Sequence, residues 1–236
     1  MRIVSGIQSS GRLHLGNYYG ALRQFMELQR NAQALYFIAN LHALTTVRDA
    51  AASREFTLEA ALAYLAFGLD PKAAILFRQS DIPQITELYW ILGCLVPLSN
   101  LERSHGYKDK IARGLAADFG LFAYPVLMAA DILAFGADVV PVGNDQTQHL
   151  EFARDWATRF NVTFVARYDP QDPHGTEPGH ARGILTLPTA RIQKGVAVVP
   201  GIDGRKMSKS ADNTIDIFAE ESEVRGRIMG IRTDST

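Results

Sequence analysis

Apolar positions along the chain change period several times, and the changes mark out its elements. Arg2 to Ile7 is a short β-branched run, closed by Gly6 and then by Ser9-Ser10-Gly11, which predicts a buried strand and a turn. From about Gly16 to Gln29 the apolar residues take helical spacing, so a helix should open just after Gly16-Asn17. Ala34–Ala39, Ala74–Phe77 and Asp138–Val142 read as further strands. Ser53 to Gly68 has helical spacing, with Ser53 as the expected N-cap and Gly68 as the stop. Pro83 to Gly136 is helical in pattern with no strand inside it, and Thr147–Phe160 is helical again. Strands alternating with helices predict an α/β fold, a Rossmann-like doubly wound parallel sheet, with the stretch of about 79–122 inserted as a helical region. Tyr168 to Gly183 is rich in Pro, Gly, His and Asp and predicts an exposed loop. Glu220 to Met229 has the charge and spacing of one amphipathic helix.

Composition alters this picture only slightly. The 236 residues fit one large domain, or one domain with a small appendage, and 47% hydrophobic residues exclude a disordered chain. Lys plus Arg (24) nearly balances Asp plus Glu (25), so any nucleic-acid contact would rest on local patches, not on a global basic field. The lone Cys94, in the apolar run Trp90 to Val96, cannot form an internal disulfide and reads as a buried core thiol. No Cys/His pairing has zinc spacing, and no protein metal site is expected. The N-terminus lacks the apolar stretch of a signal peptide, and Ala60 to Leu69 is too short to span a bilayer. These features predict a cytoplasmic protein without membrane association.

Four segments carry candidate chemistry. Leu13-His14-Leu15-Gly16-Asn17 lies at the mouth of the first strand–turn–helix unit, where open α/β sheets bind ligands and a glycine admits a close approach. Gly204-Arg205-Lys206-Met207-Ser208-Lys209-Ser210 sets two lysines in a Gly/Ser-rich loop suited to clamp a phosphate leaving group. Tyr124, Met128, Asp131 and Phe135 share one face of a helix, an apolar stripe broken by a carboxylate that can accept a buried ring N–H. Val140-Pro141-Val142-Gly143-Asn144-Asp145-Gln146 ends a strand on a glycine and a carboxylate, a common arrangement for ribose hydroxyls. Taken singly, the first and last of these read better as plain turns.

Together they carry a resemblance. His14 to Asn17 resembles the HIGH motif of the class I aminoacyl-tRNA synthetases, and Lys206 to Ser210 matches their KMSKS motif letter for letter. Asn17 departs from the general motif, and that form is similar to the tryptophanyl branch of the family. Gly6-Ile7-Gln8-Ser9-Ser10-Gly11, Gly16-Asn17-Tyr18-Tyr19-Gly20-Ala21, Tyr124 to Ile132 and Val140 to Gln146 resemble further segments of that branch. The resemblance covers nearly all of the chain. It departs at Thr163 to Leu185, which is longer and richer in Pro, Gly and His than expected before Leu187-Pro188-Thr189-Ala190-Arg191-Ile192.

The resemblance implies ATP-dependent activation of L-tryptophan to tryptophanyl-adenylate and its transfer to tRNA(Trp). It implies ATP contacts from Gln8, Ser9, Ser10, His14, Gly16, Asn17, Gly143, Asn144, Asp145, Lys206, Met207, Ser208, Lys209 and Ser210. Tryptophan would be held by Gly6, Gln8, His42, Tyr124, Met128, Asp131, Val140, Val142 and Gln146, although for His42 the residues equally allow a core or capping role. Lys206, Lys209, Lys110 and Asn17 would serve the chemistry, with Mg2+ carried on the ATP phosphates. A homodimer is implied through the inserted helical region. The catalytic domain should span 1–205, and 206–236 should hold the KMSKS loop and the start of a helical anticodon-binding domain. The rest of that domain is expected to be missing, leaving a chain that forms adenylate yet charges tRNA poorly. The rivals are a tyrosyl-tRNA synthetase-like enzyme and a non-charging relative that only binds tryptophan or a protein partner.

Overall fold

The apolar run Arg2–Ile7 forms the central strand, β1, because it is flanked on both sides by equally apolar strands. It pairs in parallel with β2 (Gln33–Ile38) and with β4 (Val139–Val142). β2 pairs with β3 (Ala74–Arg78), and β4 with β5 (Thr189–Ile192), giving a five-stranded parallel sheet in the order β3-β2-β1-β4-β5. From β1 the chain steps outward through β2 and β3 and then crosses back to β4 on the other side of β1, so the crevice beyond the carboxyl ends of β1 and β4 is the topological switch point. The computed structural model describes residues 1–112, 114, 116–143, 146–192 and 199–231.

The expected Gly16–Gln29 helix is one helical path in three pieces: α1 (Leu15–Asn17), a π turn (Tyr18–Leu22) and α2 (Arg23–Leu28). A short α3 (Asn40–Ala43) follows β2. α4 runs Ala50–Ala66 and starts earlier than expected, because Asp49 accepts a hydrogen bond from Ala52 N–H at 2.8 Å and caps it in place of Ser53. Gly68, at φ +98, ends its path as expected. After β3 come a 3-10 turn (Gln79–Asp81), α5 (Pro83–Gly93), α6 (Leu98–Glu102), α7 (His105–Ala112) and α8 (Phe119–Leu133). α9 (Thr147–Phe164) continues a turn beyond its expected end, and α10 (Glu221–Met229) closes the described chain.

Ile3, Leu22, Phe25, Tyr36, Ala63 and Tyr64 build the core on one face of the sheet. Ile85, Leu92, Ala129, Ala130, Ala153 and Trp156 join α5, α8 and α9 into a second cluster. α8 is capped by Asp118, which accepts from Leu121 N–H at 2.8 Å and pairs with Arg48 at 2.7 Å beside the start of α4. One expectation fails: Cys94 is exposed. α5 buries Ile85 and Leu92, and Cys94 lies on its other side with Trp90 and Ile91. The Tyr168–Gly183 loop is ordered around Asp172, which accepts hydrogen bonds from Thr176, Glu177 and His180. Among the described residues no helix is long and apolar enough to cross a membrane.

Candidate active site

A cleft of about 650 Å³ opens at the switch point. Gly6, Ile7 and Gln8 from the end of β1 line it, as do Val140, Val142 and Gly143 from the end of β4. His42, Thr45 and Thr46 come from the segment after β2, and Leu121, Tyr124, Met128 and Asp131 from α8. Gly6 has a steric reason: a Cβ there would fall 2.7 Å from the Phe37 ring that packs under the cleft.

Asp131 is the chemical feature of the apolar end. Its carboxylate is 1% exposed, and burial raises its pKa above the usual carboxylate value. Hydrogen bonds from His42 Nε2 (2.8 Å) and Gln79 Nε2 (2.7 and 2.9 Å) oppose that rise by favouring the charged form. Asp131 thus offers an ionisable acceptor at the bottom of an apolar slot. Higher in the slot the Tyr124 hydroxyl lies 2.8 Å from Nε2 of the buried His149, and burial raises the Tyr124 pKa, which keeps the phenol protonated. Gly106 faces that hydroxyl: a Cβ there would come within 3.1 Å of it.

At the other end, the HLGN segment meets the chain that follows the KMSKS loop. Leu15 N–H donates to Ile215 O (3.0 Å), Ile217 N–H donates to Leu13 O (2.8 Å), and His14 bridges antiparallel to Asp216. The Asn17 side chain accepts from His14 N–H at 3.0 Å, tightening the start of α1. Gly16 admits the His14 ring, whose Nδ1 would sit 2.8 Å from a Cβ, and Met207 packs at 3.6 Å from the same point. Burial lowers the His14 pKa, the Lys209 charge lowers it further, and Asp216 raises it, so the ring is held neutral at neutral pH.

Lys209 extends to Gly11, placing Nζ 3.2 Å from where a Cβ would stand. Gly11 has φ +130, a left-handed conformation that favours glycine. Desolvation lowers the Lys209 pKa, while Glu59 and Asp216 raise it. The loop itself hangs on Asn213, which is 1% exposed. Asn213 donates to Asp203 Oδ1 (2.7 Å) and to Lys206 O (3.1 Å), and it accepts from Ser208 N–H (2.8 Å). Arg227 from α10 donates to the carbonyl and carboxylate of Asp212, both at 2.8 Å, fixing the far end of the loop.

The structure gathers Gly6, Gln8, Gly16, Asn17, His42, Tyr124, Met128, Asp131, Val140, Val142, Gly143 and Gln146 around the one cleft. Ser9 is buried instead with its hydroxyl 3.4 Å from that of Thr57. Ser10 and His14 stand in and just after the glycine turn, and Lys206 to Ser210 arch beside it without lining the cleft. Lys110 lies in the last turn of α7, its charge acting on the Asp118 carboxylate, and does not line the cleft. Asn144 and Asp145 lie outside the described residues. Gln79, Asn213 and Glu59, which accepts from Leu13 N–H at 2.9 Å, were not singled out by sequence. No local signal marks them, since each owes its place to contacts distant in the chain.

Known proteins agree with this geometry over the full chain. A family model described as tRNA synthetases class I (W and Y) matches residues 1–236. Tryptophan--tRNA ligase of Campylobacter jejuni is 49% identical over 236 residues, covering 100% of this chain and 69% of that protein. The ligase of Rhodopirellula baltica is 51% identical over 235 residues, covering 100% of this chain and 68% of its own length. The crystal structure of tryptophanyl-tRNA synthetase from Campylobacter jejuni complexed with ADP and tryptophan matches with a TM-score of 0.86 at 49% identity, covering 100% of this chain and 69% of that one. A tyrosyl-tRNA synthetase from Archaeoglobus fulgidus, at 22% identity and a TM-score of 0.67, shares the fold alone. This chain belongs to the class I tRNA synthetases of the tryptophan and tyrosine group.

Proposed function

We propose that this chain activates L-tryptophan with ATP, giving tryptophanyl-adenylate and pyrophosphate, and passes the tryptophanyl group to tRNA(Trp) with release of AMP. The carrying observation is the buried Asp131 at the bottom of an apolar slot. A flat apolar ring with one N–H fills the slot and ends on the carboxylate. A phenyl ring would leave the same carboxylate without that donor, a strong penalty in a dry site. Similarity to the tryptophan ligases above selects indole over phenol.

The substrate carboxylate oxygen attacks the α-phosphorus of ATP as the bond to the bridging pyrophosphate oxygen breaks. Tyr124, hydrogen-bonded to His149 Nε2, and Gln146 offer oxygen acceptors to the substrate ammonium. Gly16 and Gly143, with Asn144 and Asp145, receive the adenosine, while Gln8, Ser10 and His14 form its surrounding wall and Ser9 is buried against Thr57 behind it. Mg2+ arrives on the ATP phosphates. Lys206 and Lys209, with Asn17 and Lys110, meet the charge that builds on pyrophosphate, held in place by Met207, Ser208 and Ser210. Positioning and charge stabilisation suffice for this step, and no covalent nucleophile is needed. A terminal tRNA ribose hydroxyl then attacks the adenylate carbonyl, and AMP leaves.

We assign residues 1–205, with the helical insertion at about 79–122, to the catalytic domain, and the following segment to the loop and α10. The exposed Trp90, Ile91 and Leu98 on α5 and α6 support a homodimer through that insertion. Light scattering should then give twice the 26.0 kDa chain mass, and a monomer at micromolar concentration would refute it. tRNA charging serves translation, which places the protein in the cytoplasm. ATP–pyrophosphate exchange with each of the twenty amino acids tests the central assignment. Tryptophan should be the substrate that supports rapid exchange, and exchange driven by tyrosine instead would overturn it.

A further inference from the structure

Gln79 does not line the cleft, yet it holds Asp131 and the backbone of His42, the two polar groups that meet at its apolar end. It stands directly after β3, in the first position of the 3-10 turn, and its side chain is fully buried. Its Oε1 accepts from the backbone N–H groups of Leu41 (3.0 Å) and His42 (3.4 Å). Its Nε2 straddles the Asp131 carboxylate, 2.7 Å from Oδ1 and 2.9 Å from Oδ2. The amide can sit only this way round: reversed, its oxygen would face a carboxylate and its nitrogen would face two N–H donors. Next to it, Asn40 and Ser80 exchange two further bonds, at 2.9 and 3.1 Å, clasping the same two segments together.

Counting acceptors shows what the arrangement leaves for a ligand. A carboxylate offers about two lone pairs on each oxygen. Oδ2 accepts from both Gln79 and His42, whereas Oδ1 accepts from Gln79 alone. The acceptor position that remains is on Oδ1. Gln79 also holds the backbone that carries His42, so a single amide sets both groups that meet Asp131.

We infer that Gln79 is a positioning residue for substrate specificity, whose amide fixes the Asp131 carboxylate so that Oδ1 is the oxygen presented to the substrate ring N–H. The inference rests on the reading that Asp131 accepts the indole N–H. Replacing Gln79 should therefore damage recognition of the ring N–H and leave recognition of ring shape, ammonium and ATP intact.

The test is ATP–pyrophosphate exchange with tryptophan and with 3-benzothienylalanine, an analogue of the same shape in which sulfur replaces the ring N–H. Gln79→Met keeps the volume and removes the donor. It should lower kcat/KM for tryptophan by about 10- to 100-fold, leave the analogue unchanged or improved, and leave the KM for ATP unchanged. The tryptophan-to-analogue ratio thus collapses, which a merely structural defect would not cause, since it would slow both substrates alike. Gln79→Ala removes the same donor without forcing a new side chain into the site and should collapse the same ratio, so it supplies the measurement if the methionine variant does not fold. Asp131→Ala, which leaves no acceptor for the ring N–H, is assayed in parallel and separates the two claims. If Asp131→Ala leaves the ratio intact, the reading of Asp131 is wrong, and this inference goes with it. If Asp131→Ala collapses the ratio while both Gln79 variants keep it, or slow both substrates equally, the role of Gln79 alone is overturned.

Discussion

Asn213 offers the sharpest way to ask whether the order of the KMSKS loop limits the chemistry. Asn213→Ala removes one bond to a carboxylate, at 2.7 Å, and two to the loop backbone, at 3.1 and 2.8 Å. Asp203 keeps its bonds from Arg205 N–H and Nε, at 3.0 and 2.7 Å, so its charge is not orphaned. Lys206 is exposed, so its freed carbonyl can turn to water. The loss therefore falls at the lower end of three ordinary hydrogen bonds, about 2 kcal/mol against the ordered loop. That shifts the ratio of ordered to disordered loop by about 30-fold. If Lys206 and Lys209 act on the leaving pyrophosphate as proposed, maximal pyrophosphate exchange should fall by up to about 30-fold with the KM for tryptophan within about twofold. Asn213→Asp should be worse than alanine, because it sets a second carboxylate against Asp203. An alanine variant that exchanges at the wild-type rate, or that loses tryptophan affinity by the same factor as rate, would refute the reasoning.

Two further predictions use the same assay and a melting curve. Lys206→Ala and Lys209→Ala should each slow adenylate formation by about 100-fold or more, the scale for removing one transition-state donor, with tryptophan binding by calorimetry nearly unchanged; equal losses in both would mean that the loop shapes the amino-acid pocket. Asp131 provides a pH signature. Burial raises its folded-state pKa above the ordinary 3.8, so its contribution to stability is complete below that value and is lost as pH rises through the folded pKa. The melting temperature of the wild type relative to Asp131→Asn should fall from pH 4 toward neutrality, and a flat difference would contradict the assigned shift.

What the sequence makes legible follows from which forces are local. β1, β2, β3 and β4 are apolar runs bounded by turns, and their parallel order follows from the helices between them. β5 was missed because Thr189–Ile192 is exposed along its whole length and is held by its ladder to β4, not by burial. Ser53 lost the cap to Asp49 because Ala50-Ala51-Ala52 is strongly helix-forming yet lacks the apolar spacing that marks a helix start. The run around Cys94 misled in another way: apolar content does not distinguish a core face from an exposed one, and α5 has both. Site residues in contiguous motifs were legible as letters, and most of them line the cleft. Gln79 and Asn213 were not, because a lone amide side chain looks the same in sequence whether it is solvated or buried among partners.

The motif letters also say nothing of how two segments far apart in the chain come to act as one. The structure supplies a physical link. The segment after the KMSKS loop runs antiparallel along the HLGN segment, with Leu15 bonded to Ile215 and Ile217 to Leu13, so the loop's C-terminal anchor and the start of α1 share a backbone ladder. Glu59 ties Leu13 to α4, and its charge also acts on Lys209. Lys209 reaches the glycine turn directly above the ladder. A displacement of the loop must therefore strain either two backbone hydrogen bonds or the turn at Gly11. A ligand phosphate that draws Lys209 away from Glu59 and Asp216 replaces one set of anionic partners with another.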